Sequence, residues 1–168
     1  LTGLDKLGYA VDLEESARIL SRVLDIQPDD LVLEIGCAAG SIARFLDCKY
    51  VGVDRSEPMV KKNISLNRLS ALVCEANNLI FKDKSFDKVF VFSVFQYFPD
   101  LNYARQVISE IERVARKAAY IGDLPLLSHD PNHCIYTREF FSGWADTEAL
   151  YPRQNRFSIL KEFPEASN

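Results

Sequence analysis

Residues 86–95 read Phe-Asp-Lys-Val-Phe-Val-Phe-Ser-Val-Phe and are almost continuously apolar. A strand with one face in water alternates polar and apolar residues, whereas a strand covered on both faces does not. The run therefore predicts a strand inside a parallel sheet, and parallel neighbours require long crossover connections, usually helices. The rest of the chain has the pattern to supply them. Asp12, with Glu15 three positions on, forms a capping-box start for a helix carrying Leu13, Ala17, Leu20 and Leu24 on one face. Gln27 to Asp30 breaks that helix, and Leu31 to Ile35 reads as a buried strand. Ser41 to Leu46 is expected as a short helix and Tyr50 to Asp54 as a second strand. Ser56 caps a helix over 57–68, and Ala71 to Glu75 is a third strand.

After the apolar run, Ala104, Val107, Ile108, Ile111, Val114 and Ala115 make one stripe at helical spacing, and Ala118 to Gly122 is a fifth strand. Five strands alternating with helices predict an α/β fold: a doubly wound, mostly parallel sheet with helices on both faces. Beyond it, Pro125 to Cys134 reads as a loop, Arg138 to Leu150 as a helix around Phe140, Phe141 and Trp144, and Arg156 to Leu160 as a final, antiparallel strand. The chain thus divides into a helical lead-in (1–26), a core (27–124) and a short C-terminal region (125–168), all within one domain.

The 168 residues are enough for one hydrophobic core. With 48% hydrophobic and 26% charged residues, the composition is that of a globular protein. The longest apolar stretch falls far short of the ~20 residues of a membrane span, so no membrane partner is expected. Net charge is −4 and the basic residues are scattered. Lys61–Lys62, the group Arg113, Arg116 and Lys117, and the group Arg153, Arg156 and Lys161 read as solvated surface, and no nucleic-acid partner is expected. Cys37, Cys48, Cys74 and Cys134 lie far apart, without the spacing of a disulfide framework or zinc site, which fits a cytoplasmic location. The first residues do not show the basic-then-apolar pattern of a signal peptide, and none is expected. The chain begins with Leu1 rather than Met, so some native N-terminal residues are expected to be missing.

In an open parallel sheet the ligand lies beyond the carboxyl ends of the strands. There, Gly36, Ala38 and Gly40 alternate in a turn between the first strand and the segment that follows it, where backbone can approach a ligand closely. The dinucleotide pattern G-x-G-x-x-G is not met, because Ala38 takes its second glycine and Ser41 its third. Glu34 would repel a pyrophosphate and suit a cationic group. Asp54, 20 residues after Glu34, ends the second strand where a carboxylate accepts from ribose hydroxyls. A nucleoside carrying positive charge is indicated.

Leu-Glu-Ile-Gly-Cys-Ala-Ala-Gly (33–40), Val-Gly-Val-Asp-Arg-Ser-Glu-Pro-Met-Val (51–60), the stretch 74–100 and the stretch 108–125 together resemble, in order, class I S-adenosylmethionine-dependent methyltransferases, in their small-molecule branch. The resemblance implies a Rossmann-like fold, S-adenosylmethionine as cofactor and S-adenosylhomocysteine as product. It places Glu34, Gly36, Ala38 and Gly40 around the methionyl moiety, Asp54 on the ribose, and Arg55 and Met59 beside the adenine. Glu75, Ala76 and Asn77 would read the adenine edge, and Ser93 would lie near the methionyl part. Three departures stand out: Ala38 for glycine, Glu75 for aspartate, and Ile80 where Leu-Pro-Phe is common. Ala38 is expected to fit if it keeps negative φ.

Elimination of the family's other branches leaves a small-molecule acceptor as the expectation, and the chain is expected to be a monomer or homodimer. The alternative is a methyltransferase-like module without turnover. Tyr97 and His129 are the candidate catalytic residues. His129 and His133 have the i, i+4 spacing of a metal pair, but Pro131 between them argues for a loop, and no metal is expected.

Overall fold

Asp12 caps the first helix as its position demands, its Oδ1 accepting from the backbone N–H of Glu15 at 2.9 Å. The computed structural model describes residues 12–164 apart from positions 68, 129 and 152. Helix α1 (Leu13–Val23) leads into β1 (Leu31–Ile35), followed by β2 (Lys49–Asp54), α2 (Glu57–Asn67) and β3 (Ser70–Val73). Then come β4 (Phe86–Phe92), α3 (Leu101–Val114), β5 (Ala115–Pro125), β6 (Ala145–Asp146) and β7 (Arg156–Glu162). Among the described residues these strands form one sheet in the order β3-β2-β1-β4-β5-β7-β6. The first five strands in that order are parallel, and β7 runs antiparallel to both β5 and β6.

The alternation of side chains along each strand sorts the core into two layers. Leu33, Ile35, Val89, Val91 and Ile121 face the apolar stripe of α3 formed by Ala104, Val107, Ile111 and Val114. Val32, Phe90, Ala118 and Tyr120 face the other way, against Ala17, Leu20 and Leu24 from the end of α1. β4 is buried along almost all its length, the physical reason for its unbroken apolar run. Among the described residues, no helix is long and apolar enough to cross a membrane.

Two expected helices are absent. Ser41 to Leu46 contains only a 3₁₀ turn over Ala43–Phe45, because Leu46 already has extended backbone and β2 begins three residues later. Arg138 to Leu150 contains a 3₁₀ turn over Arg138–Phe140 and the two-residue β6. Gly143, with φ +81°, breaks any helix there. Its aromatics are core residues on irregular chain: Phe141 is 2% exposed and packs against Phe95, Tyr136 and Phe157.

Two basic groups read as solvated are structural. The guanidinium of Arg113 reaches Glu110, Asp83 and the carbonyls of Leu79 and Phe81, tying the β3–β4 connection to α3. Lys117 bridges Asp30 and Asp87, both nearly buried at the amino edge of the sheet. Burial opposes the charge of Asp87, yet hydrogen bonds from Arg116, the Leu31 N–H and Lys117 hold its carboxyl well below the usual range.

Candidate functional site

β1 pairs with β2 on one side and β4 on the other, so the chain leaves the sheet in opposite directions beyond the ends of β1 and β4. A cleft of about 710 Å³ opens there, within the roughly 300–1,000 Å³ typical of small-molecule sites. Its floor is the turn after β1. Gly36 has φ +78° and Gly40 φ +72°, a backbone conformation that only glycine adopts at no cost. The N–H groups of Gly36 and Cys37 both donate to the carbonyl of Val53, at 2.8 and 3.0 Å, which fastens the turn to β2.

Ala38 departs from expectation: its φ is +43°, not negative. A methyl in the left-handed region costs energy, and here that cost is offset by Asp54, whose Oδ2 accepts from the Ala38 N–H at 2.9 Å. Ala38→Gly is therefore expected to stabilise the protein by about 0.5–1 kcal/mol, the relief of strain less the added chain entropy. An upward shift of the urea midpoint measures it.

Asp54 Oδ1 accepts from the Ser56 N–H at 2.8 Å. Each carboxylate oxygen can accept more than one hydrogen bond, so Asp54 holds the turn and keeps lone pairs for a ligand. Glu34 is 6% exposed, at the cleft wall, and accepts from the Tyr50 hydroxyl at 2.6 Å. Burial pushes its carboxyl up to about 8, against the hydrogen bond from Tyr50 and with the charge of Asp54 adding to the rise. Without a cation beside it, burial favours the neutral form of Glu34. Burial, and then the neighbouring Glu34, push the Cys37 thiol up to about 12, so it is no nucleophile.

Of the residues singled out in the sequence, Glu34, Gly36, Ala38, Asp54, Arg55, Met59, Glu75, Ala76, Ser93 and Tyr97 all line the cleft. Glu75 Oε2 accepts from the Tyr103 hydroxyl at 2.8 Å. Two others stand apart. Gly40 is buried with α2 beside it: a side chain there would meet Asn63 and Asn67. Asn77 donates to Gln106 Oε1 on α3 at 2.8 Å. His129 lies outside the described residues. Its neighbour in sequence, His133, does line the cleft, its ring edge-on to Tyr97 at 5.1 Å and its Nε2 3.6 Å from Asp130.

The cleft also contains residues that sequence reasoning missed. Arg153 and Arg156, read as solvated surface, are 16% and 14% exposed in their side chains and both pair with the buried carboxylate of Asp123. Burial lowers Arg156 from its ordinary value, against the pull of Asp123. Gln96, 3% exposed, links Arg156 to Ser93. Gln96 and Asp123 follow the fourth and fifth strands expected from the sequence, which hinted at this group; the two arginines gave no such sign.

Comparison with known proteins agrees with this geometry. The model of a family described as a methyltransferase domain matches residues 33–121. A demethylmenaquinone methyltransferase of Thermotoga maritima is 30% identical over 149 residues, covering 84% of this chain and 62% of that protein. A probable tRNA methyltransferase 9B of Mus musculus is 31% identical over 115 residues, covering 63% of this chain and 24% of that one. The chain thus spans less than two thirds of either relative. The crystal structure of a SAM-dependent methyltransferase from Methanosarcina mazei superposes with a TM-score of 0.73 at 18% identity, covering 88% of this chain and 98% of that one. With the family match across more than half its length, and with the fold of S-adenosylmethionine-dependent methyltransferase structures, the chain belongs to the methyltransferase domain family.

Proposed function

We propose that the chain binds S-adenosylmethionine in this cleft and transfers its methyl group to a small-molecule acceptor at the β4–β5 end. The observation that carries the reading is the placement of Glu34, Asp54 and Glu75 around one glycine-floored cleft at the sheet's switch point. The donor set fits the cofactor: Asp54 retains lone pairs for two hydroxyls, and Glu34 is a buried carboxyl that a cationic group would ionise. When bound, S-adenosylmethionine supplies a methyl group on positively charged sulfur and leaves as S-adenosylhomocysteine.

Asp54 holds the ribose, and Glu75 with the Ala76 N–H reads the adenine edge. Met59 and Arg55 flank the base. Ser93 lies beside the methionyl part, and Tyr97 faces the acceptor. Phe92, Val94 and Phe98 line the same cleft and exclude water, which lets alignment of nucleophile and methyl group supply much of the acceleration. A demethylmenaquinone methyltransferase among the relatives supports a small acceptor. The free state of all four cysteines supports a cytoplasmic setting.

Calorimetry with S-adenosylmethionine and S-adenosylhomocysteine tests the reading. Both are expected to bind the wild type, and Asp54→Asn, which keeps one acceptor oxygen for the turn, is expected to bind at least about tenfold more weakly. Absence of binding by both ligands overturns the proposal. A second reading, a binding module without turnover, draws on the scant cover over the acceptor end, where the described residues of 126–155 hold only a 3₁₀ turn and β6. Binding with no methylated product across an acceptor panel would favour it.

A further inference from the structure

Two guanidinium groups and one carboxylate meet at the β4–β5 end of the cleft. Arg153 Nη1 lies 2.9 Å and Arg156 Nη1 3.3 Å from Asp123 Oδ2. Arg156 Nη1 also donates to the Asp123 carbonyl at 2.7 Å and to Gln96 Oε1 at 3.1 Å, and Gln96 is itself fixed through Nε2 to Ser93 Oγ at 3.1 Å. Both arginines contact Asp123 through Nη1; among the described residues, Nε and Nη2 of each make no hydrogen bond. Asp123 Oδ1 is buried and also lacks a partner.

The group therefore carries one surplus positive charge and a set of unused planar donors, both arginines forming part of the cleft wall. Asp130, another carboxylate in that wall, is about half exposed to solvent and has its contacts with Asn132 and His133 rather than with either arginine. Carboxylates on the opposite side of the cleft, Asp54 and Glu75, make the two ends electrically unlike. Guanidinium forks that are largely out of water and have donors to spare match carboxylate or phosphate oxygens in both geometry and charge.

We infer that Arg153 and Arg156 form the receptor for an anionic group, carboxylate or phosphate, on the methyl acceptor. The inference rests on the reading of the cleft as a methyl-transfer site and narrows its substrate to acids. Asp123 neutralises one of their charges and so competes with the anion for the two forks. Ser93 and Gln96 fix the edge of the receptor nearest the cofactor end.

Titration of benzoate, phenyl phosphate and neutral benzamide, followed by calorimetry and by the arginine Nε–H NMR signals, tests the receptor. Each titration is run with and without saturating S-adenosylhomocysteine. At least one anion is expected to bind about tenfold more tightly than benzamide and to shift the Arg153 and Arg156 signals. Whichever of benzoate and phenyl phosphate binds more tightly identifies the anion. Arg153→Gln is expected to weaken the anion about tenfold and leave S-adenosylhomocysteine affinity unchanged. Asp123→Asn is expected to tighten anion binding, because it removes the competing charge while asparagine accepts the φ of +62° at that position.

A purely structural ion pair would give the opposite result for Asp123→Asn, loosening the wall. Equal binding of benzamide and the anions, no anion binding, or weakened anion binding in Asp123→Asn overturns the receptor. Failure of S-adenosylhomocysteine to bind instead removes the methyl-transfer reading, while the titrations without it still decide on the receptor.

Discussion

The free protein is expected to lose stability as pH rises from about 5 to 9, and Glu34→Gln is expected to remove most of that loss. The Glu34 carboxyl ordinarily titrates near 4.5 and is raised to about 8 in the fold. A raised folded-state value means that the native chain holds a proton that the unfolded chain has given up. Its contribution is complete below 4.5 and is lost as pH climbs through 8, a swing on the order of a few kcal/mol. Glutamine keeps a carbonyl for the Tyr50 hydroxyl and has nothing to ionise. Urea unfolding across this pH range should show a falling midpoint for the wild type and a nearly level one for Glu34→Gln. Equal slopes would mean that Glu34 is ionised in the free protein.

The same group gives a binding signature. If the cofactor's cationic end lies beside Glu34, binding near pH 7 ionises the carboxyl and expels its proton. Calorimetry in two buffers of different ionisation enthalpy should then detect proton release, absent in Glu34→Gln.

Gly36→Ala is expected to destabilise by about 3 kcal/mol and weaken S-adenosylhomocysteine binding more than tenfold. Two costs combine. The residue sits at φ +78°, and a β-carbon there would overlap the methyl groups of Val94, which lines the cleft. The second cost can be separated from the first. Val94→Ala in the same chain should recover part of the loss, and the coupling in the double-mutant cycle measures the clash. A stability within about 0.5 kcal/mol of wild type for Gly36→Ala alone would show that the turn does not need this close approach.

Local pattern revealed much of this architecture. The strands from β1 to β5 were legible because burial on both faces leaves apolar runs, and α3 because one face of it is apolar. The ends were less so: β5 begins at Ala115, directly from the helix, where the sequence pointed to Ala118. Phe140, Phe141 and Trp144 imitate a helical stripe, yet irregular chain carries them to the core, and spacing alone does not separate the two. The nucleoside side of the cleft was readable because its residues follow strands at short, regular distances. Arg153 and Arg156 were not, because their partner Asp123 lies some thirty residues away and only the antiparallel return of β7 brings them to it. The φ of Ala38 was hidden too: the sequence supplies the methyl but not the hydrogen bond from its N–H to Asp54 that holds it in place.

The placement of β7 also sets an order in which the cleft can be assembled. Glu34 and Asp54 lie in β1 and β2 and Glu75 follows β3, whereas the arginine wall exists only after β7 has docked against β5. A chain emerging from the ribosome can complete the nucleoside end while Asp123 still lacks both its cations. One half of the site is thus encoded near the first three strands, and the other depends on the antiparallel return of β7.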